Sequence, residues 1–288
     1  MYKSLFGRAG GYEERLNKDI AFFNTDECTG LLASLYPKSA GHVSSLISQF
    51  SKYGGWAVKT KMTKRNHWVL VPVDEDYVKY SFTNRYVKDL DELSGIVETC
   101  LTVPYDKFVV YLLHMGIMGE AFMELAQIKD DDVSAIEGTI KTIRRTYNEI
   151  PKPLLQAMIR KNYYEEKKKR DYESEYFVKP YKTKKLLGQP ISYQHVHKVI
   201  QKLNYNYNEV SSDAKEFTPS TIWRSGLFYS LYKIEQLKGD IVPDDFLHVS
   251  EVYGNKNSYS SYSMDYELYK GIFWGSDAVL MPPSNTHQ

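Results

Sequence analysis

Apolar side chains recur every three or four residues over much of the chain, the spacing that places them on one face of a helix. A short helix is predicted over residues 43–52, and Gly54-Gly55 is expected to end it. Residues 88–175 are expected to be largely helical. Within them, the stretch from 105 to 128 is apolar on most sides, which predicts a buried helix.

A second apolar stripe predicts another helix between residues 133 and 147. The stripe consists of Val133, Ile136, Ile140, Ile143 and Tyr147. Thr218-Pro219 predicts the start of a further helix, because threonine can cap the first turn and proline is tolerated at its first position. Lys238-Gly239 is expected to end that helix.

Residues 56–82 follow a different period and predict a small antiparallel sheet. Apolar and basic side chains alternate from Trp56 to Met62, as they do in a half-buried strand. Residues 68–73 form an apolar run that contains a proline, which is typical of a strand near a sheet edge. With helical segments before and after this sheet, the fold class is predicted to be α+β and mainly helical.

Three segments are predicted along the 288 residues. Residues 1–150 are expected to form an N-terminal α+β domain with the small sheet. Residues 151–190 are expected to form a charged helix and linker rich in lysine and tyrosine. Residues 191–288 are expected to form a C-terminal helical domain with a loop-rich tail, and its short helices suit a helix-turn-helix-like unit.

The composition is that of a globular protein, with 42% hydrophobic residues and a net charge of +1. Tyrosine is unusually frequent at 25 residues, and it suits both protein interfaces and stacking on bases. No apolar run is long enough to span a membrane, and Cys28 and Cys100 cannot build a disulfide framework or a four-thiolate zinc site. We therefore expect a cytoplasmic protein, in the host cytoplasm if it is viral, without membrane association, metal or cofactor.

A basic run between residues 160 and 185 is the first candidate site. Ten lysines and arginines stand against five acidic residues, a local charge of +5, and five tyrosines are interleaved. Lysines can neutralise phosphates and tyrosines can stack on unpaired bases. The predicted nucleic-acid contacts are Tyr163, Tyr164, Lys167, Lys168, Lys169, Arg170, Lys182, Lys184 and Lys185. The alternative is a solvated helix with Glu–Lys pairs four residues apart.

The second candidate site lies in the predicted sheet. Lys59 and Lys61 would share one strand face, because side chains two apart on a strand point the same way. Lys64 and Arg65 follow in a predicted turn. A hairpin with this basic face can grip a phosphate backbone, and the alternative is an ordinary surface hairpin.

The third candidate is the triplet His195-Val196-His197. It resembles the metal-binding motif of the HUH endonucleases, which act with a downstream nucleophilic tyrosine, and Tyr229 and Tyr232 lie downstream on a predicted helix. The resemblance covers these three residues and implies metal-dependent nicking. The triplet departs from the family's pattern because it opens a predicted helix, where side chains two apart diverge by about 200°.

These patterns favour a non-enzymatic nucleic-acid-binding protein, of the kind that a phage or another mobile element encodes, with nucleic acid as the expected partner and the choice between DNA and RNA left open. The second hypothesis is a structural or assembly protein, such as a virion component or an adaptor, that contacts a protein partner or further copies of itself. The third hypothesis is a metal-dependent nuclease or nicking enzyme. No catalytic residue is assigned, and a binding protein is expected rather than an enzyme.

Overall fold

The computed structural model divides the chain into two compact units, Met1–Thr83 (unit 1) and Asn84–Ala278 (unit 2). The structure describes residues 2–37, 39–74, 76–161, 170, 173–181, 188–211, 213, 215–254 and 259–275. Most of these residues are helical and a small antiparallel sheet is present, so the mainly helical α+β class is confirmed. The segments 1–150, 151–190 and 191–288 stay a prediction about domain organisation.

Unit 1 is helical throughout its described part. Its elements are α1 (Tyr2–Leu16), a 3₁₀ turn (Ile20–Phe22), α2 (Thr25–Ser34), α3 (Ala40–Lys59), a 3₁₀ turn (His67–Leu70) and α4 (Asp76–Thr83). The Asn24 side chain accepts a hydrogen bond from the Glu27 backbone N–H. In return, the Glu27 carboxylate accepts one from the Asn24 backbone N–H, so two unpaired donors at the start of α2 are satisfied. Apolar side chains of α2 and α3 form the core with Phe23 and Trp68.

The position predicted for the sheet, residues 56–82, is wrong. Helix α3 continues through Gly54-Gly55 to Lys59, and the missing side chain of Gly54 leaves room for the Asn66 amide. A Cβ at position 54 would lie 2.3 Å from Asn66 Oδ1. The following apolar run forms a 3₁₀ turn, since Trp68 is buried and stacks on Phe50 with ring centroids 4.5 Å apart. Tertiary burial therefore overrides the strand-like period.

Unit 2 contains the remaining helices and the sheet. Its helices are α5 (Leu90–Cys100), α6 (Pro104–His114), α7 (Met123–Ala126), α8 (Lys152–Lys161), α9 (Tyr193–Val210), α10 (Pro219–Lys238), α11 (Pro243–Val252) and α12 (Tyr259–Trp274). Its strands are β1 (Val133–Ser134), β2 (Thr139–Lys141) and β3 (Thr146–Asn148), and 3₁₀ turns lie at Glu120–Phe122 and Asp130–Asp132. Every residue of α6 is buried, which places this helix at the centre of the unit.

The sheet lies where an amphipathic helix was predicted, between residues 133 and 148. Val133 pairs with Ile140, and Ile140 pairs with Tyr147 in an antiparallel meander. Ile136 is fully exposed and Ile143 is 70% exposed, because they lie in the connecting turns. Only part of the apolar stripe is therefore buried, and strand pairing explains the spacing better than a helix face does.

The long buried helix predicted over residues 105–128 ends at His114. Gly116 adopts a φ of +90°, and a Cβ there would lie 2.7 Å from the Tyr253 ring. By contrast, the predicted helix after Thr218 is confirmed. The Thr218 hydroxyl accepts from a backbone N–H of the first turn, and Gly239 ends α10 with a φ of +82°.

In the parts of the chain that the structure describes, no helix combines the length and the apolar character that a membrane span requires.

Candidate functional site

The four basic residues of unit 1 that were predicted to contact phosphate are exposed to solvent at the end of α3. Lys59 is the last residue of the helix, and Lys61, Lys64 and Arg65 follow in the loop, all exposed. We call these four residues the cationic loop. They lie on a helix end and a loop, not on the predicted hairpin. Within the described residues, no ion pair with a carboxylate involves them.

The cationic loop has a defined backbone. The Met62 N–H donates to the Ala57 carbonyl over 2.9 Å, and the Asn66 amide donates to the Ser51 carbonyl over 2.9 Å. These bonds close the loop back onto α3. Cations at a helix C-terminus also interact favourably with its dipole, which accounts for part of their placement.

The basic run of unit 2 is described in part. The predicted contacts Tyr163, Tyr164, Lys167, Lys168, Lys169, Lys182, Lys184 and Lys185 lie outside the described residues. Arg170 is described, and the prediction that it contacts phosphate is wrong because its side chain is fully buried. Its Nη2 donates to Asp106 Oδ1 over 2.8 Å, and its Nη1 donates to the Lys179 carbonyl over 3.1 Å.

Asp106 holds a buried charge cluster together. Lys202 Nζ donates to the second carboxylate oxygen of Asp106 over 3.1 Å, while Arg170 occupies the first. The Tyr181 ring centroid lies 4.0 Å from the Arg170 guanidinium carbon. His195 is buried nearby, and burial together with the Arg170 charge lowers the pKa of His195 to about 4. This cluster joins Arg170 and Lys179 to the body of unit 2.

The histidine triplet lies in the first turns of α9, after the capping residue Ser192. His197 contacts the rings of Tyr193 and Phe122, with centroids 4.3 and 5.5 Å away. Across the described residues, no three His, Cys, Asp or Glu side chains are grouped so that they could hold a metal ion.

The two downstream tyrosines also have aromatic or cationic neighbours. Tyr232 stacks on Trp274 with ring centroids 4.2 Å apart, and Lys233 Nζ lies 5.3 Å from the Tyr229 ring centroid. The structure therefore provides local packing roles for the residues that carried the resemblance to HUH endonucleases.

Arg224 forms a second cluster, between α10 and α12. Its guanidinium carbon lies 5.9 Å from the Tyr262 ring centroid, and its Nη1 lies 3.6 Å from Asp265 Oδ2. Burial alone would lower the pKa of Arg224. The hydrogen-bonded Tyr86 phenol, Tyr262 and Asp265 act in the opposite direction and outweigh burial, so the pKa is raised. The side chain keeps 30% of its surface exposed, so a permanent positive charge remains accessible to solvent.

The β2–β3 turn forms a third polar cluster. Arg144 Nη2 lies 3.0 Å from the buried Glu124 carboxylate and donates to the Tyr147 hydroxyl over 2.5 Å. It also donates to the Gly116 carbonyl over 3.3 Å. These bonds connect the turn to the segment before α7, where Ala121 and Phe122 adopt left-handed backbone conformations that cost about 1 kcal/mol or more each.

Sequence reasoning missed Arg224 and its neighbours. A signal was present, since Arg224 is the single charged residue between Glu216 and Lys233. An isolated charge in such a stretch indicates either a buried ion pair or a functional group. Tyr86 and Tyr262 carried no comparable signal, because their proximity to Arg224 arises from helices distant in sequence.

Two family models match the chain. The model described as "MrpR, N-terminal core-binding domain" matches residues 1–59, and the model described as "MrpR, C-terminal catalytic domain" matches residues 90–270. The second match corrects the expectation of a non-enzymatic binding or assembly protein, because a catalytic-domain family covers more than half of the chain. Among curated proteins, none matches the sequence with significance.

Likeness to solved structures is remote. A crystal structure of XerA recombinase has a TM-score of 0.40 and 12% identity, over 93% of this chain and 85% of that chain. A structure of the Tn1549 transposon integrase in complex with circular intermediate DNA has a TM-score of 0.39 and 13% identity, over 85% of this chain and 82% of that chain.

Proposed function

This chain belongs to the MrpR family, and we propose that it is an enzyme that binds DNA and transfers a phosphoryl group of the DNA backbone. The observation that carries the proposal is the Arg224 cluster, whose members Arg224, Tyr262 and Asp265 lie within the region matched by the catalytic-domain model. The core-binding match to residues 1–59 supports a separate binding role for unit 1.

The cationic loop supports DNA binding by unit 1. Its four side chains are exposed and unpaired with carboxylates within the described chain, so each can approach a phosphate without breaking an ion pair. Each phosphate contact releases condensed counterions, which favours binding at low salt. Because the net charge of the chain is only +1, this local excess of charge directs a polyanion to one surface.

In unit 2, Arg224 is the candidate for stabilising a phosphate. A guanidinium can bind two phosphate oxygens at once and stabilise the charge that develops on them during transfer. Tyr262 is the candidate nucleophile. Its hydroxyl oxygen would bond to phosphorus, the bond from phosphorus to the sugar oxygen would break, and the phenol proton would pass to solvent while the leaving oxygen is protonated.

The buried state of Tyr262 sets a condition on this chemistry. Only 3% of its surface is exposed, so α12 must move for the hydroxyl to reach a phosphate. Such a movement must break the bonds that Lys270 and Tyr266 of α12 make to Glu235 of α10.

The catalytic part is tested with duplexes that the protein itself selects from a random pool. Wild-type protein is expected to form a denaturant-resistant adduct with labelled DNA, and Tyr262→Phe is expected to abolish it. Arg224→Lys should slow adduct formation by roughly 100-fold while leaving the binding constant nearly unchanged. The exposed Tyr205→Phe is the matched control and should react as wild type.

Binding and chemistry are separable in this experiment. Absence of any adduct from duplexes that bind tightly, or an adduct that persists in Tyr262→Phe, contradicts the assigned chemistry.

The binding part is tested by a salt titration. Log affinity falls with log salt, and the steepness of that fall reflects the number of phosphate contacts. Replacing Lys59, Lys61, Lys64 and Arg65 with glutamine is expected to make the fall shallower by roughly 3 to 4, since each lost contact removes about 0.9. The same duplex as RNA serves as a comparison. An unchanged slope in the fourfold variant would rule out the cationic loop as the binding surface.

A further inference from the structure

Two aliphatic side chains next to the cationic loop lie in solvent. Val69 and Leu70 are each 65% exposed, whereas their neighbours Trp68 and Val71 are buried. The exposed surface continues through Pro72 to Val73, which is 54% exposed. Contiguous exposed apolar surface on a folded chain can mark a contact surface.

The turn that carries this pair is fixed from the inside. Trp68 stacks on Phe50 in the core, and its backbone N–H donates to Asn66 Oδ1 over 3.2 Å. The amide of the same Asn66 donates to the Ser51 carbonyl of α3. Val69 and Leu70 are therefore presented by a backbone that is already ordered, so binding through them requires little further loss of conformational entropy.

The charge beside the pair selects the kind of partner. Lys64 and Arg65 precede the turn by a few residues and are exposed, as is Lys61. In a two-fold contact between copies of the chain, the same patch would face itself and bring these cations together. A polyanion with an apolar interior satisfies both the cations and the aliphatic pair.

We propose that Leu70, assisted by Val69, inserts as a wedge into the minor groove of duplex DNA and partly unstacks one base step, while Lys64 and Arg65 contact the flanking phosphates. This inference rests on the DNA binding proposed above. Apolar wedges of this kind kink the duplex toward the major groove. Pyrimidine–purine steps unstack most easily, so the wedge favours TA and CA/TG steps.

The test uses selected duplexes that carry 2-aminopurine at successive positions and a donor–acceptor dye pair at their ends. Wild-type protein is expected to raise 2-aminopurine fluorescence several-fold at one step and to shorten the end-to-end distance. The Val69→Ser/Leu70→Ser variant is expected to lose both signals and to bind on the order of tenfold more weakly. Both side chains are exposed, so the variant keeps the core intact.

A matched control is available in unit 2. Val210 is 66% exposed and Leu237 is 86% exposed, so Val210→Ser/Leu237→Ser removes an aliphatic pair of similar exposure. This variant should unstack and bend DNA as wild type does. Equal loss of both signals in the two double variants would overturn the wedge.

The outcomes separate this inference from the proposed function. If wild-type protein binds the duplex without changing fluorescence or end-to-end distance, the wedge is overturned and DNA binding stands. If wild-type protein fails to bind duplex DNA at low salt, the proposed function fails and the wedge fails with it. If Val69→Ser/Leu70→Ser abolishes self-association in sedimentation while unstacking persists, the occupant is a second copy and the wedge is overturned.

Discussion

Cations of the same predicted role behave in opposite ways in the two units. In unit 1, Lys59, Lys61, Lys64 and Arg65 lie in solvent. In unit 2, Arg170 is fully buried against Asp106 and a backbone carbonyl. A buried, paired charge is part of the folded interior, and a ligand cannot reach it. An exposed charge contributes little to the free energy of unfolding and is free to bind a polyanion. Mutations in the two sets should therefore separate stability from binding.

The largest expected effect is that of Arg170→Met. Removing the guanidinium leaves Asp106, 2% exposed, with Lys202 as its remaining cation, and breaking a buried pair costs about 3 to 5 kcal/mol. Urea unfolding should show this loss of stability. The double variant Arg170→Met/Asp106→Leu should recover part of it, because no unpaired carboxylate remains. A single variant as stable as wild type would place Arg170 outside the interior.

Acid should weaken unit 2 next most strongly. Burial lowers the pKa of His195 to about 4 and that of His114 to about 3, from an ordinary value of 6.5. Because the folded pKa values are depressed, the unfolded chain binds protons first as pH falls. The contribution of these histidines to the free energy of unfolding is fully present above pH 6.5. For His195 alone, roughly 3 kcal/mol of it is lost as the pH falls to about 4.

Unfolding measured between pH 7 and pH 4, with hydrogen exchange to resolve the units, checks this dependence. His195→Leu should have a shallower pH profile than wild type. The partly exposed His197→Leu serves as the control and should keep the full slope. Identical slopes in all three proteins would contradict the assigned origin.

A smaller effect is expected in unit 1 at Asn66. Asn66→Ala removes the bond to the Trp68 N–H and the bond to the Ser51 carbonyl, at a cost of about 1 to 2 kcal/mol. Asn66→Asp keeps the acceptor but loses the amide donor, so it should lie between wild type and Asn66→Ala in urea unfolding. Equal stability of Asn66→Ala and wild type would show that the turn is held by Trp68 packing alone.

The smallest effect on stability is expected in the cationic loop. Lys59→Gln and Lys64→Gln should each change the free energy of unfolding by less than about 0.5 kcal/mol, since both side chains are exposed. Lys202→Gln, which removes a partner of Asp106, should cost more and is the matched comparison. A large loss in Lys59→Gln would erase the distinction between the two sets of cations.

Local signals predicted one helix whose two ends are both marked in the sequence. Helix α10 begins at Thr218-Pro219 and ends at Gly239 as expected, because both signals act through nearby backbone groups. The strands between residues 133 and 148 were predicted as a helix, since Ile140 and Tyr147 are also seven residues apart on a helical stripe. Spacing alone does not distinguish those arrangements when strands are only two or three residues long.

The exposure of the cationic loop was predicted from the sequence, although on the wrong element, and its role in binding nucleic acid stays a prediction. Arg170 was misassigned because sequence charge does not reveal burial, which depends on Asp106, 64 positions away. The Arg224 cluster was missed for the same reason, since Tyr86, Arg224 and Tyr262 meet only through tertiary packing.

The contact between α6 and α10 constrains how unit 2 can move. A Cβ at Gly226 would lie 1.8 Å from the His114 carbonyl oxygen, and the Tyr253 hydroxyl donates to that same carbonyl over 2.9 Å. The two helices are thus in backbone contact, and Tyr253, which follows α11, bonds to the His114 carbonyl oxygen at the point of contact. Because this contact leaves no room between the two backbones, we expect a rearrangement that exposes Tyr262 to displace α12 while the spacing of α6 and α10 stays unchanged.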